Sequence, residues 1–144
     1  PTAEWQALSQ SGVSAGYGII WSFLSLVPPR DIRVAFVEPG SPAAGSVAAV
    51  TRGERLVGID GINVVSNNTA SGVDTINAGL FPEAAGEVHQ FSLEDPVTGS
   101  RRSVTITSEL VTTDPVPSVQ TFDTGSGVVG YMLFNEHIAT AEAA

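Results

Sequence analysis

The chain has 144 residues, 42% of them hydrophobic, and a formal net charge of −9 in which six Arg stand without a single Lys. Such an acidic surface repels a phosphate backbone, which argues against nucleic-acid binding. The absence of Cys removes disulfides, thiol catalysis and thiolate zinc sites. No apolar run approaches the ~18 residues of a transmembrane helix, so we expect no membrane span. The length suits one domain with appendages.

The first elements are predicted from residue type and alternation. Residues 1–15 are small and polar, with Trp5 and Leu8 at helical spacing, and predict an arm or one short helix. Residues 17–24 are rich in aromatic and β-branched side chains, which favours a strand. Pro28-Pro29 ends that strand, because proline has no N–H to donate to a sheet. Residues 31–37 then alternate apolar and polar, which predicts a second strand.

The middle of the chain predicts a turn, a helix and a hairpin. Pro39-Gly40-Ser41-Pro42 is a turn in which Ser41 can cap a short helix that has Pro42 at its first position. Residues 56–59 form an apolar strand, and Asp60-Gly61 is a hairpin-type turn into residues 62–65.

A second helix and a second hairpin follow. Ser71 and Asp74 have the spacing of a capping box, and Val73, Ile76 and Leu80 then lie on one helical face. Residues 88–95 and 103–111 alternate on either side of a Pro-Val-Thr-Gly turn and predict a hairpin. The economical way to bury these faces is a small, strongly bent antiparallel sheet capped by two helices, an α+β fold. The polar, Pro-containing residues that follow Val111 predict a linker, and residues 128–134 a further strand.

The stretch Phe36–Val64, with its Pro-Gly-Ser-Pro-Ala and Ile59-Asp60-Gly61 elements, carries a family resemblance. Residues 16–111 resemble a PDZ domain of the circularly permuted bacterial type. The tail Val128–Asn135 looks like the strand that opens the catalytic core of carboxyl-terminal processing (tail-specific) serine peptidases. The resemblance implies a PDZ-like small antiparallel β-sandwich or partly open barrel capped by two helices. It also implies that residues 112–144 are a linker and the first strand of a truncated peptidase core.

The resemblance further implies a peptide-binding site. Its carboxylate-binding loop matches Gly16, Tyr17, Gly18 and Ile19, where glycines let successive N–H groups converge on an anion. A peptide would pair with the following strand as an added strand and direct side chains toward the second helix. The groove would then be lined by Ile20, Trp21, Ser22 and Phe23 on the strand and by Val73, Ile76, Asn77 and Leu80 on the helix. Neither histidine lies on that helix, so an apolar peptide end is expected.

The resemblance places the chain within a longer serine-type peptidase of the periplasm, cell envelope or secreted fraction. Its partners would be C-terminal or extended peptide tails and its own peptidase domain. It would either deliver tails to that peptidase domain or gate access to it. The residues by themselves leave alternatives open. Gly16–Gly18 also fits a simple bulge, and the apolar helix face also fits ordinary core. The domain would then have a structural, autoinhibitory or assembly role with no ligand in its groove.

Motifs that suggest catalysis in this chain are poorly supported. Asp123-Thr124-Gly125-Ser126 is the signature of aspartic proteases, but their chemistry needs two such aspartates and only 21 residues remain after Asp123. A Gly-rich turn is the favoured interpretation. The Ser-Lys dyad that the resemblance implies cannot be here, because the chain has no Lys. His89 and His137 are far apart without ligand partners nearby in sequence, and His89 is expected at the edge of the core. We therefore predict no catalytic residues, metal or cofactor.

Overall fold

The computed structural model describes residues 12–116 and 118–133. Residues 15–111 form one compact unit, and the described residues on either side belong to a second. The elements in chain order are β1 (Val13–Gly16), β2 (Ile19–Ser25), β3 (Asp31–Val37), a 3-10 helix (Pro42–Ala44), β4 (Arg55–Ile59), β5 (Ile62–Asn63), α1 (Ala70–Leu80), β6 (Val88–Glu94), β7 (Arg101–Thr107), β8 (Glu109–Thr112), β9 (Ser118–Thr124) and β10 (Gly127–Leu133).

The larger unit is built on a six-stranded antiparallel sheet in the order β2-β3-β4-β6-β7, with β5 paired to β4. Strands β1 and β8 form a separate two-stranded sheet. The core includes Leu56, Ile59 and Phe91, none of which has measurable exposure. Helix α1 approaches β4 so closely that a Cβ on Gly79 would lie 2.4 Å from the Ile59 Cγ2. Glycine at this position therefore lets the helix lie directly against the sheet.

The two predicted hairpins are present, but β5 ends at Asn63, and the strand predicted over residues 103–111 is divided between β7 and β8, which pairs with β1. Asp60 and Gly61 connect β4 to β5 through the pairs Gly58↔Asn63 and Ile59↔Ile62. Asp60 has a φ of 48° and Gly61 of 80°, the left-handed backbone that this turn needs. Strands β6 and β7 pair in register from Val88↔Thr107 to Glu94↔Arg101. Each hairpin follows from local alternation and turn chemistry, so the sequence predicts it without help from the rest of the fold.

The two predicted helices need correction. The first is only the three-residue 3-10 helix Pro42–Ala44, because Gly45 leaves the helical region with a φ of −57° and a ψ of 150°. The second helix begins before the predicted N-cap, Ser71. The Thr69 hydroxyl accepts a hydrogen bond from the Gly72 N–H at 3.1 Å, so Thr69 rather than Ser71 is the N-cap.

The predicted linker after Val111 is wrong over Ser118–Thr124. These residues form β9, which pairs antiparallel with β10 from Ser118↔Leu133 to Thr124↔Gly127. The strand predicted over residues 128–134 corresponds to β10. Prolines lie only before β9, at positions 115 and 117, so they do not interrupt its ladder. Gly125 and Ser126 form the turn of this hairpin, as the turn interpretation of that motif predicts.

The predicted helix or arm of residues 1–15 falls mostly outside the described residues, of which Val13–Gly16 are strand β1. Within the described ranges, no helix combines the length and the apolar character needed to cross a membrane.

Candidate functional site

The loop between β1 and β2 is held against the Pro-Gly-Ser-Pro turn by its carbonyl groups. The Tyr17 carbonyl accepts from the Ala43 N–H at 3.0 Å, and the Gly18 carbonyl accepts from the Glu38 N–H at 2.7 Å. In a trans peptide the N–H points opposite to the C=O of the same peptide unit. The N–H groups of Gly18 and Ile19 therefore point away from the turn.

Gly18 fits this loop for two reasons. Its φ is 77°, and a Cβ would lie 2.2 Å from the Ser41 Cβ, so no side chain fits. Within the described chain the Gly18 N–H donates no backbone hydrogen bond. An N–H that points outward from a left-handed residue is a suitable donor to an anion.

The Tyr17 side chain anchors the same loop in the core. It is 2% exposed, and its ring meets that of Phe91 edge-on with centroids 5.0 Å apart. Burial raises the pKa of the Tyr17 phenol, and the charges of Glu87 and Asp60 raise it further. The phenol therefore stays neutral, and the loop offers a ligand its backbone groups rather than this side chain.

An apolar cleft of about 360 Å³ opens between the end of β2 and α1. It brings together one strand residue and four helix residues of the predicted groove, namely Phe23, Val73, Ile76, Asn77 and Leu80. Its other lining residues, which the sequence analysis did not identify, are Leu26, Arg30, Ile32 and Phe81. Ile32 is an inward residue of an alternating strand, and Phe81 is an aromatic residue at a helix end, so sequence patterns could have identified both as lining residues. Leu26 and Arg30 lie in a segment without periodicity, so no sequence pattern identifies them as lining residues.

The remaining predicted strand residues lie elsewhere on β2. The Trp21 ring stacks on Phe91 with centroids 6.1 Å apart and packs against the core. Ile20 is exposed and Ser22 is half-buried, and neither lines the cleft. A register shift lies between Ile20 and Trp21, and the pairing with β3 is then regular from Trp21 to Phe23. Of the four strand residues predicted for the groove, Phe23 is the one that lines the cleft.

Helix α1 contributes to the core and to the cleft together. Ile76 is 4% and Leu80 5% exposed, and both belong to the core cluster as well as the cleft lining. Val73 is half-buried and Asn77 exposed. The groove and core interpretations of this face are thus not exclusive, since the buried side chains form the floor of the cleft.

Two aromatic rings meet at one side of the cleft. Phe23 on β2 and Phe81, the residue that ends α1, stack with centroids 6.2 Å apart and an interplanar angle of 30°. Phe23 is 39% and Phe81 57% exposed, so the pair lies at the surface. The stack bridges strand β2 and the end of helix α1.

The His89 ring lies beside two carboxylate side chains. Its Nδ1 lies 2.6 Å from Asp60 Oδ2, and its Nε2 lies 3.7 Å from Glu87 Oε2. Asp60 Oδ1 also accepts from the Gln90 N–H at 2.8 Å, which fastens the β4–β5 turn to β6. Over residues 12–116 and 118–133, no group of three or more His, Asp or Glu side chains is arranged to hold a metal ion. His137 lies outside the described residues.

No protein-family model and no curated protein matches the chain. Among solved structures, it is similar to the PDZ domain of the carboxy-terminal protease from Vibrio cholerae in complex with peptide, with a TM-score of 0.50 and 17% sequence identity. The similarity covers 69% of this chain and 97% of that chain. At this identity the likeness establishes the fold. The chain has a PDZ-like fold of antiparallel sheet and one α-helix, and the predicted fold class is confirmed.

Proposed function

We propose that this chain is a peptide-binding module that captures extended or C-terminal peptide tails by β-strand addition. One observation carries the proposal. Strand β2, at the edge of the sheet, begins at a loop whose N–H groups point outward, and it ends at an apolar cleft. Strand β2 is terminal in the main sheet, and no described strand pairs with its outer edge. An unpaired edge is the template that strand addition uses.

The two ends of β2 have complementary chemistry. At its start, the N–H groups of Gly18 and Ile19 would donate to the terminal carboxylate of a peptide. At its end, Phe23 and the α1 side chains would bury apolar peptide side chains, at about 25 cal/mol per Å² of apolar surface. Each backbone hydrogen bond contributes ~0.5–1.5 kcal/mol net. After the entropic cost of association, we expect an affinity near the micromolar range.

The proposal extends to a longer protein. Support comes from the carboxyl-terminal processing peptidase resemblance of the sequence, and from the similarity to a PDZ domain whose own protein is a carboxy-terminal protease. The module would deliver tails to a serine-type peptidase core, or gate access to it, in the periplasm, the cell envelope or the secreted fraction. The catalytic Ser and Lys would lie outside this chain, which has no Lys.

A second role is favoured by the stack of Phe23 on Phe81. These rings bridge β2 and α1, so they lie across the groove at that point. A domain whose groove holds no ligand would instead occlude an active site or mediate assembly.

One titration separates these roles. A short peptide that ends in apolar residues is compared by calorimetry with the same peptide amidated at its C-terminus. We expect the free carboxylate form to bind about tenfold or more tightly, since hydrogen bonds to a charged acceptor contribute ~1.5–3 kcal/mol. Equal binding of the two forms would reject the carboxylate site. Failure of every peptide to bind would favour the role without a ligand.

A further inference from the structure

We propose that Arg30 makes the cleft select peptide tails that carry an acidic side chain a few residues before their apolar C-terminus. This inference rests on the proposed function, and it concerns a residue that neither the groove prediction nor the PDZ resemblance includes.

Arg30 is a buried cation fixed by backbone carbonyl groups. The residue is 8% exposed and lines the apolar cleft. Its Nε donates to the Leu26 carbonyl at 3.0 Å, and its Nη1 donates to the carbonyls of Val64, at 3.4 Å, and Asn67. The Arg30 N–H donates to the Val65 carbonyl at 2.9 Å. The guanidinium is therefore held in one place before any ligand arrives.

Arg30 differs from most other arginines of the chain in having no carboxylate partner among the described residues. Arg33 and Arg55 pair with Asp31, Arg101 pairs with Glu94, and Arg102 pairs with Glu54. Arg52, the other unpaired arginine, is exposed to solvent. A cation that is both buried and unpaired is costly, because little water replaces the missing counter-charge.

The guanidinium also has donors to spare. It carries five N–H groups, of which Nε and Nη1 use three in the bonds to carbonyls. The two N–H groups on Nη2 have no acceptor within the described chain. A carboxylate in the cleft would accept from Nη2 and supply the missing negative charge, an interaction stronger than a bond to a neutral acceptor.

The position of Arg30 sets where the acidic side chain should lie. A peptide bound antiparallel to β2, with its carboxylate at Gly18, would extend toward Leu26 and Arg30. Phe23 follows Gly18 by five residues and lines the cleft together with Arg30, so the peptide residue opposite Phe23 would lie about three or four residues before the C-terminus. The Arg30 guanidinium bonds the carbonyls of Val64 and Asn67, two residues that precede α1. The acidic side chain should therefore lie about three to five residues before the C-terminus.

The test uses short peptides that end in the same apolar residues and carry either Glu or Gln at the third, fourth or fifth position before the last. We expect one Glu peptide to bind about tenfold more tightly than its Gln partner. The net charge of −9 works against this preference, so general electrostatic attraction cannot produce it.

Two variants assign the preference to a residue. Arg30→Met should abolish it, so that the Glu and Gln peptides bind equally, and Arg52→Met, which removes the same charge at an exposed site, should leave it intact. If Arg30→Met does not fold, Arg30→Lys keeps the charge on a shorter reach and should reduce the preference.

The outcomes separate this inference from the proposed function. Equal binding of every Glu and Gln pair by the natural chain would overturn the role of Arg30 while leaving peptide capture in place. A preference that survives in Arg30→Met would overturn the assignment to this residue. Absence of binding by all the peptides would overturn the proposed function itself.

Discussion

Gly18 and Ser41 pack so closely that a Cβ added to Gly18 would lie 2.2 Å from the Cβ of Ser41. The contact joins the loop that begins β2 to the Pro-Gly-Ser-Pro turn, two segments of the chain that the sequence alone does not bring together. Since the carbonyl groups of Tyr17 and Gly18 bond the same region, the direction of the outward N–H groups depends on this contact.

Replacing Gly18 by Ala should therefore affect both folding and binding. The left-handed backbone costs a non-glycine residue about 1–2 kcal/mol, and the clash adds about 1–3 kcal/mol. We expect a loss of about 2–5 kcal/mol in the free energy of unfolding, measured by urea denaturation, and weaker peptide binding. Gly40→Ala is the matched control, because Gly40 also has a φ of 77° but no atom within 4 Å of an added Cβ. Equal losses in the two variants would contradict the role of the Ser41 contact.

A buried ion pair should make stability fall in acid. Glu54 is 5% exposed, accepts from Arg102 at 2.9 Å through both oxygens, and accepts from the Thr51 N–H at 2.8 Å. Burial alone raises the pKa of Glu54, but the bonds from Arg102 and Thr51 outweigh it and hold that pKa below its ordinary value of 4.5.

The sign of the pH effect follows from this direction. The unfolded chain takes up the proton at the higher pH, so the contribution of Glu54 is complete above about 4.5 and is lost as pH falls through the lower folded pKa. Urea denaturation at neutral and successively lower pH should show this loss. Glu54→Gln should lower the free energy of unfolding by about 1–3 kcal/mol at neutral pH. It should also remove the part of the pH dependence of stability that Glu54 causes. Glu83→Gln, the same substitution at an exposed residue, should change neither the stability at neutral pH nor its pH dependence. An unaltered pH dependence of stability in Glu54→Gln would refute the assignment to Glu54.

The apolar lining of the cleft is testable at Val73. This side chain is half-buried and lines the cleft, so Val73→Asp should lower the affinity for an apolar peptide end by about tenfold or more, with a small change in stability. Val97→Asp makes the same change at a side chain that is 90% exposed and should bind as before. Ile76→Asp is a poor test of binding, because Ile76 is 4% exposed and the variant should unfold. Equal affinities for the Val73 and Val97 variants would exclude the cleft as the binding surface.

The aromatic stack predicts a kinetic effect. Phe81→Ala removes the ring that bridges to Phe23, so we expect peptide association to become faster, measured by stopped-flow fluorescence. Loss of the stacked pair should cost about 0.5–1.5 kcal/mol of stability. Phe81→Tyr keeps the ring and should keep the slower association. If Phe81→Ala instead weakens binding with no gain in association rate, Phe81 is a ligand contact rather than an obstruction.

The sequence by itself determined the elements whose cause is local. Alternation in β3, β6 and β7, the Asp60-Gly61 turn and the helical spacing of Val73, Ile76 and Leu80 each depend on neighbouring residues. The extent of the first helix and the cap of α1 were predicted less well. Several residues compete to cap or end a helix, and the surrounding packing selects among them, as Gly45 and Thr69 show.

The tertiary structure alone decided what meets across the fold. Phe23 lines the cleft with side chains of α1, whereas Trp21 on the same strand stacks on Phe91, and no local pattern signals this difference. Arg30 follows Pro28-Pro29 in a segment without periodicity, yet carbonyl groups from Val64 and Asn67 hold it beside the cleft. Amphipathic patterning specifies which faces are buried, because burial of apolar surface is favourable wherever it occurs. Which side chains then share a cleft depends on long-range strand pairing, and that is set only when the whole chain packs.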